Sequence, residues 1–192
     1  AADQGSVQAQ IVLGRIYLEG RGVAKDDTEA LKWFQRAAKS GNNRARAFIA
    51  VTYLGNPRAG MNAAQAIKWL EAAAAEGMPH AQSKLGELYS QGKLLPFDPE
   101  LAFKFQMKAA EQRYSDAQTA LGEMYRAGEG VTKDEKESYF WFALAAKQAD
   151  IDNDGDAAMK AGMADYAANQ LQPGEREGLD LRVLDWLKSH PK

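Results

Sequence analysis

Apolar and small residues recur along the chain in four-residue steps: Ala9, Leu13 and Tyr17 in one segment, then Ala30, Phe34 and Ala38 beside Trp33 and Ala37 in the next. Such steps return side chains to one face of a helix, and the polar positions between them form its wet side. The pair of segments then repeats. Ala9, Ala45, Ala81 and Ala117 stand 36 residues apart, as do Tyr17, Tyr53, Tyr89 and Tyr125. Leu13, Ile49, Leu85 and Leu121 keep the interval; so do Gly14, Ala50, Gly86 and Gly122, and Trp33, Trp69, Phe105 and Trp141. An Ala-Ala pair closes each unit, at Ala37 and Ala38, Ala73 and Ala74, Ala109 and Ala110, and Ala145 and Ala146. The pattern predicts four helix pairs in a single domain, over residues 6–41, 42–77, 78–113 and 114–149. Ala1 and Ala2 fall one period before the first pair, so residues 1–5 are expected to end a preceding repeat of a longer protein.

Between the two helices of a unit the chain reads Gly20-Arg21-Gly22-Val23 in the first and Gly128-Glu129-Gly130-Val131 in the fourth. Glycine there accepts the left-handed backbone that ends a helix. Asp26, Asn62, Asp98 and Asp134 are placed to cap the second helix of each pair, accepting hydrogen bonds from its first amides. Glu29, Gln65 and Glu137, three residues on, predict capping boxes, and Pro99 suits a first-turn position. The middle units depart from this form at Gly55-Asn56-Pro57-Arg58 and at Gly92-Lys93-Leu94-Leu95-Pro96-Phe97, which predicts loops of different shape. Leu94, Leu95 and Phe97 are expected to tuck under the third pair rather than form an exposed patch.

One pair cannot bury both of its faces; stacked pairs share a continuous core and acquire a curvature with an inner, concave surface. Ala9, Gly14 and the Ala-Ala pairs let neighbouring helices approach, and the aromatic columns read as core between them. After Gln148 the repeat decays. An alanine-rich stretch from Asp156 to Leu171 reads as one more first-type helix. Pro173 then opens a last helix with Leu179, Val183, Trp186 and Leu187 on one stripe and Asp180, Arg182, Asp185 and Lys188 between them. Residues 150–192 are thus predicted to be a helical cap, apolar inside and charged outside, and the natural carboxyl end is expected to be present.

The strings IVLGRIYLEGRGVAKDDTEALKWFQRAAKSG at 11–41 and ALGEMYRAGEGVTKDEKESYFWFALAA at 120–146 resemble the Sel1-like repeat, a relative of the tetratricopeptide repeat. The likeness is nearly complete in the first and fourth units and partial in the second and third. It implies an all-α fold, a right-handed α/α superhelical solenoid of about four pairs plus a C-terminal capping helix. It also implies a non-enzymatic scaffold or adaptor for another protein or peptide, commonly in a bacterial envelope, secretion or signalling assembly, and so a periplasmic or otherwise exported setting. In tetratricopeptide relatives, peptides lie against the first helices of successive pairs, on the side away from the Leu-Gly-Tyr core. The matching inward positions here are Arg15, Val51, Glu87 and Glu123, with Gln8, Arg44, His80 and Asp116 above and Leu18, Leu54, Ser90 and Arg126 below. This surface is basic and apolar in the first two units and acidic in the last two, suiting an extended peptide or helix of opposite gradient. A merely solvated helix face is the equal alternative. A further reading is a structural segment of a longer envelope protein serving exopolysaccharide export or polar localisation.

Composition removes other classes. With 24 basic and 26 acidic side chains, net charge −2, no electrostatic footprint for nucleic acid or an anionic membrane is present. Hydrophobic residues at 45% and charged residues at 26% belong to a folding chain rather than a disordered one. No apolar run approaches the ~18 to 20 residues a bilayer span needs, so direct membrane insertion is not expected. The absence of cysteine excludes thiolate chemistry, thiolate metal sites and disulfides. Asp150-Ile151-Asp152-Asn153-Asp154-Gly155-Asp156 has the alternating carboxylates of a calcium loop, but its twelfth position is Ala161 where a bidentate glutamate belongs. The carboxylates equally suit a solvated loop with Asp156 capping the next helix, so no metal or cofactor is assigned. Only His80 and His190 are present, neither with an evident nucleophile partner. A remote alternative, a cell-wall polymer hydrolase, would pair Glu87 with Glu123 one repeat apart, at a separation of ~10 Å that barely admits an inverting mechanism. No catalytic residue is assigned.

Overall fold

In the computed structural model, residues 5–55, 63–152 and 155–191 are described, and among them lie ten helices and no strand. The first helices of the pairs are α1 (Val7–Glu19), α3 (Asn43–Gly55), α5 (Pro79–Gln91) and α7 (Ser115–Ala127). The second helices are α2 (Asp27–Ala38), α4 (Ala63–Ala75), α6 (Pro99–Ala110) and α8 (Glu135–Asp152), followed by α9 (Ala157–Ala168) and α10 (Glu175–Ser189). This is the all-α helical repeat solenoid that the periodicity predicts. Ala1, Ala2, the loop residues Asn56, Pro57 and Arg58, the cap candidate Asn62, and Asn153 and Asp154 lie outside the described residues.

The turn within a pair is built the same way in the first, third and fourth units. Gly20, Gly92 and Gly128 take φ of 69°, 64° and 73°, ending the first helix. Asp26, Asp98 and Asp134 then cap the second: Thr28 and Glu29 amides reach Asp26 at 2.9 Å, the Leu101 amide reaches Asp98 at 2.9 Å, and Lys136 reaches Asp134 at 2.9 Å. The return arm of the capping box is not made. The cap residue's own amide donates instead to the tyrosine carbonyl of the preceding helix: Asp26 to Tyr17 at 2.9 Å, Asp98 to Tyr89 at 3.1 Å, Asp134 to Tyr125 at 3.0 Å. Glu29 therefore turns to Lys32, and Glu137 to Arg182 of α10.

The third loop corrects two expectations. Its closure matches that of the first and fourth, although its sequence differs. Leu94 and Phe97 are also not tucked away, being 48% and 66% exposed, with Leu95 half-buried. The physical reason is the tight closure. The Phe97 Cβ already lies 2.9 Å from where a Gly92 Cβ would stand, so the loop is pinched shut beneath the ring and the apolar side chains project outward.

The chain divides into two compact units, Ala1–Leu85 and Gly86–Lys192, with the boundary inside α5. In the first, Ile11, Ala30, Phe34, Ala45, Phe48 and Ile49 form the core, and the Phe34 and Phe48 rings stack at 4.9 Å. Gly14 of α1 lies directly on Phe34: a Cβ there would come within 2.5 Å of the ring. In the second unit Gly122 of α7 lies on Phe142 of α8 in the same way, at 2.7 Å. The seam of small residue against aromatic ring therefore recurs at the same repeat position in both units.

In the second unit α8 is buried on every side from Ser138 to Ala145 because α7, α9 and α10 all pack on it. Val183 of α10 is 2% exposed, and Leu179, Trp186 and Leu187 pack beside it, so the predicted capping stripe is the one used. Polar ties hold the cap at its edge. The Tyr139 hydroxyl donates to Asp180, and burial, then that hydrogen bond, push the phenol up to about 12. Arg113 donates to Gln148 Oε1 at 2.6 Å and to the His190 carbonyl at 2.7 Å. Arg113 has φ 64°, occupying the left-handed position that Gly41 and Gly77 fill in the earlier repeats. Such backbone costs a non-glycine residue about 1–2 kcal/mol.

Candidate functional site: the inward face of the first helices

In the first unit the inward positions of three helices converge on one ring. Arg15 of α1 places its guanidinium 5.9 Å from the centroid of Phe48 on α3, and His80 of α5 meets the same ring edge-on at 5.3 Å. The three first helices are thus adjacent along one face. Val51 and Leu54 on α3 and Leu18 on α1 are half-buried, leaving apolar surface on it, and Arg44 and Gln8 are exposed. Arg15 is not a bare cation: its Nε and Nη2 donate to Glu19 Oε1 at 3.2 and 3.1 Å.

In the second unit Glu87 is half-buried. Its Oε1 accepts from Gln91 at 2.9 Å, and its carbonyl accepts from the Ser90 hydroxyl at 2.9 Å. Glu123 accepts from Arg126 Nε at 2.8 Å, and this hydrogen bond, with the carboxylate's charge, raises the arginine pKa. Asp116 accepts from Lys160 of α9 at 2.7 Å. The lysine is 2% exposed and also donates to Ser115 Oγ at 3.0 Å. The predicted charge gradient is therefore softened, because Arg15, Asp116 and Glu123 each have a partner of opposite sign. The Arg15–Glu19 and Glu123–Arg126 pairs were legible, standing at helical steps of four and three. The Lys160–Asp116 pair spans 44 residues and leaves no local signal.

One feature of this face was not anticipated. An open cleft of about 420 Å³ lies between α7 and α9, with Phe142 of α8 among its lining residues. Glu123 and Arg126 border it, and Met159, Met163 and Tyr166 of α9 supply apolar walls. The repeat period had lapsed before α9, so no column pointed to these residues. Their signal is exposure, Met159 at 52% and Tyr166 at 58%.

Other chemistry is thin. Asp150 and Asp152 lie on the last turn of α8, and Asp152 accepts from Gln148 Nε2 at 2.8 Å, so the first two carboxylates of the calcium-like string are helical rather than looped. Among the described residues no three histidine or carboxylate groups gather as a metal site. His190 stacks on Trp186 at 4.1 Å, part of the cap. No helix of the described residues is long and apolar enough to cross a membrane.

Helix pairs of constant period, packed through a seam of small residues and rings, define a helical-repeat scaffold. The family model of the Sel1 repeat matches residues 7–42, 53–78, 79–114 and 115–150, and the chain belongs to the Sel1 repeat family. Proteins of this family are generally scaffolds for protein–protein interaction. The chain is similar to a protective antigen of uropathogenic Escherichia coli strains with an SLR fold, at 30% identity and a TM-score of 0.73 over 98% of this chain; it spans only 39% of that protein. A Sel1 repeat protein from Oxalobacter formigenes is similar at 27% identity and 0.66 over 97% of this chain and 72% of its own. An immunity protein from Pseudomonas aeruginosa shares the fold at 18% identity and 0.53, over 99% of this chain and 76% of its own. No curated protein matches the chain.

Proposed function

We propose that this chain is a non-enzymatic adaptor that holds a peptide or an extended protein segment along the inward face of its first helices, within a bacterial envelope, secretion or signalling assembly. The observation that carries this reading is the convergence of Arg15 and His80 on Phe48, which sets three first helices side by side with polar and half-exposed apolar side chains presented together. An extended segment needs such alternation of anchor and hydrogen-bond sites. The bacterial sources of the similar structures support the setting. Arg44 and Glu87 are the inward charges with which a partner of opposite gradient would pair.

The test is co-purification of the tagged chain from its source cell with mass-spectrometric identification. Arg44→Glu combined with Glu87→Lys should release a partner that Lys104→Glu, an exposed change on the second helix α6, retains. Identical partner sets from both variants would contradict the reading.

A further inference from the structure

The outer side of the cap helix α10 departs from the charged surface expected of it. Its inner stripe, Leu179, Val183, Trp186 and Leu187, packs into the core that α8 dominates. On the opposite side Leu181 and Leu184 stand 59% and 46% exposed. Glu177 and Lys188, both exposed, extend that outer stripe by one turn at each end. Residues 177, 181, 184 and 188 are spaced four, three and four apart, so they fall within about 60° of arc at about 100° per residue. Alternating steps of four and three are the spacing of a helix–helix seam.

The stripe is complementary to its own reverse. Laid antiparallel on a second α10 about a two-fold axis between residues 182 and 183, Leu181 meets Leu184 of the other copy and Glu177 meets its Lys188, each contact being made twice. Parallel pairing would set Glu177 against Glu177 and Lys188 against Lys188, which repel. Asp185, beside the stripe, pairs with Lys188 at 3.1 Å, but both side chains are 76% exposed. Such a surface pair is worth little and leaves the ammonium able to meet a second carboxylate. Across the antiparallel seam Asp185 borders Gly178 of the other copy and so meets no like charge. Gly178 lies inside α10, where glycine costs about 1 kcal/mol, and a Cβ there would meet nothing within 4 Å, so packing within the chain does not call for it.

We propose that α10 pairs antiparallel with α10 of a second copy of this chain, forming a weak two-fold homodimer through Leu181 and Leu184 with a Glu177–Lys188 contact at each end. A helix of 15 residues is about 22 Å long, and its stripe covers much less than the roughly 1,600 Å² of a stable interface. The dissociation constant is therefore expected at roughly 10–1,000 µM. The seam uses none of the inward positions, so a paired adaptor carries two inward faces.

Sedimentation velocity of the chain between about 10 µM and 1 mM reads the pairing, and the sedimentation coefficient should rise from the monomer value toward the dimer value. Leu181→Gln combined with Leu184→Gln should weaken association at least about tenfold and leave the melting temperature nearly unchanged, because both side chains are already largely in water. Glu177→Lys alone, or Lys188→Glu alone, sets like charges together at both ends and should weaken association roughly three- to tenfold. An equimolar mixture of those two variants should recover the parent association, since each end then joins opposite charges. A chain that stays monomeric at about 1 mM overturns the pairing and leaves the stripe to a different partner or to water. Association indifferent to the leucine changes, or a mixture that associates no more tightly than its separate variants, overturns it equally.

Discussion

Alanine at Gly122 introduces a single methyl group at the tightest crossing of α7 and α8. Its Cβ would stand 2.7 Å from Phe142 Cδ1 and 2.8 Å from Cγ and Cε1, where carbon atoms rest at about 3.5–4.0 Å. Phe142 is 1% exposed within the core of the second unit, so the ring has no room to retreat and α7 must move instead. Overpacking of this kind costs about 1–3 kcal/mol, against a gain of about 1 kcal/mol from replacing glycine inside a helix. With three ring atoms within 2.8 Å and no room to retreat, the upper part of that range, about 2–3 kcal/mol, applies, and the expected net loss is about 1–2 kcal/mol. Gly86 provides the control, since it holds the same repeat position in the same unit but faces Gln106, whose amide nitrogen would lie 2.9 Å from the new methyl. Gln106 is buried as well, but its unbranched side chain can shift by rotation where a ring cannot. Gly86→Ala should therefore stay within about 1 kcal/mol of the parent protein and cost less than Gly122→Ala. Urea unfolding followed by circular dichroism measures both, with an unchanged slope confirming that the unfolded reference is the same. The reasoning is refuted if Gly122→Ala matches or exceeds the parent protein, or if Gly86→Ala is the more damaging of the two.

The Arg113 pair of hydrogen bonds and its left-handed backbone act in opposite directions. Arg113→Ala loses both bonds and keeps the strain, for about 2–3 kcal/mol, whereas Arg113→Gly relieves the strain and should be about 1 kcal/mol less harmful; urea midpoints give the order. Tyr139 is raised from 10.0 to about 12 by burial first and by Asp180 second. Its contribution to stability is whole below pH 10 and is lost as pH rises through 12, so thermal melts of Tyr139→Phe should show a shallower alkaline decline than the parent. Phe97→Ser should change stability by less than about 0.5 kcal/mol, since the ring is largely in water; a larger loss by thermal melting would restore the tucked loop. Adding calcium to a chelated sample should leave the melting temperature unchanged, because Asp150 and Asp152 stand on the α8 helix rather than in a ligating loop.

The repeat was plainly legible because one packing problem is solved four times, and identical solutions recur at identical spacing. Asp26, Asp98 and Asp134 were readable as caps for the same reason: the orphan amides of a helix start impose a short polar side chain. The capping boxes predicted at Glu29 and Glu137 were not made, because the competing acceptor for the cap's amide is a tyrosine carbonyl on another helix, and no local motif reports a turn's closure. Phe97 misled for a related reason: hydrophobicity says what a side chain prefers, while the pinch at Gly92 decides where it points. At the candidate site, Arg15, His80, Glu87 and Glu123 were correctly placed on first helices by period alone. The partners of Asp116 and the walls of the α7–α9 cleft come from α9, which lies beyond the last regular repeat and packs through Lys160, Ala164 and Ala167 in a phase that no earlier unit foreshadows.

The account stands or falls on whether a partner occupies the inward face. Photo-crosslinking amino acids at Val51 and Arg126, with controls at Gln35 of α2 and Lys104 of α6, compare the two sides of the helix pairs in the source cell. The account predicts one shared crosslinked protein from Val51 and Arg126 and none from the controls. Adducts of that protein from Gln35 or Lys104 at equal yield, or none from the inward positions, would contradict it.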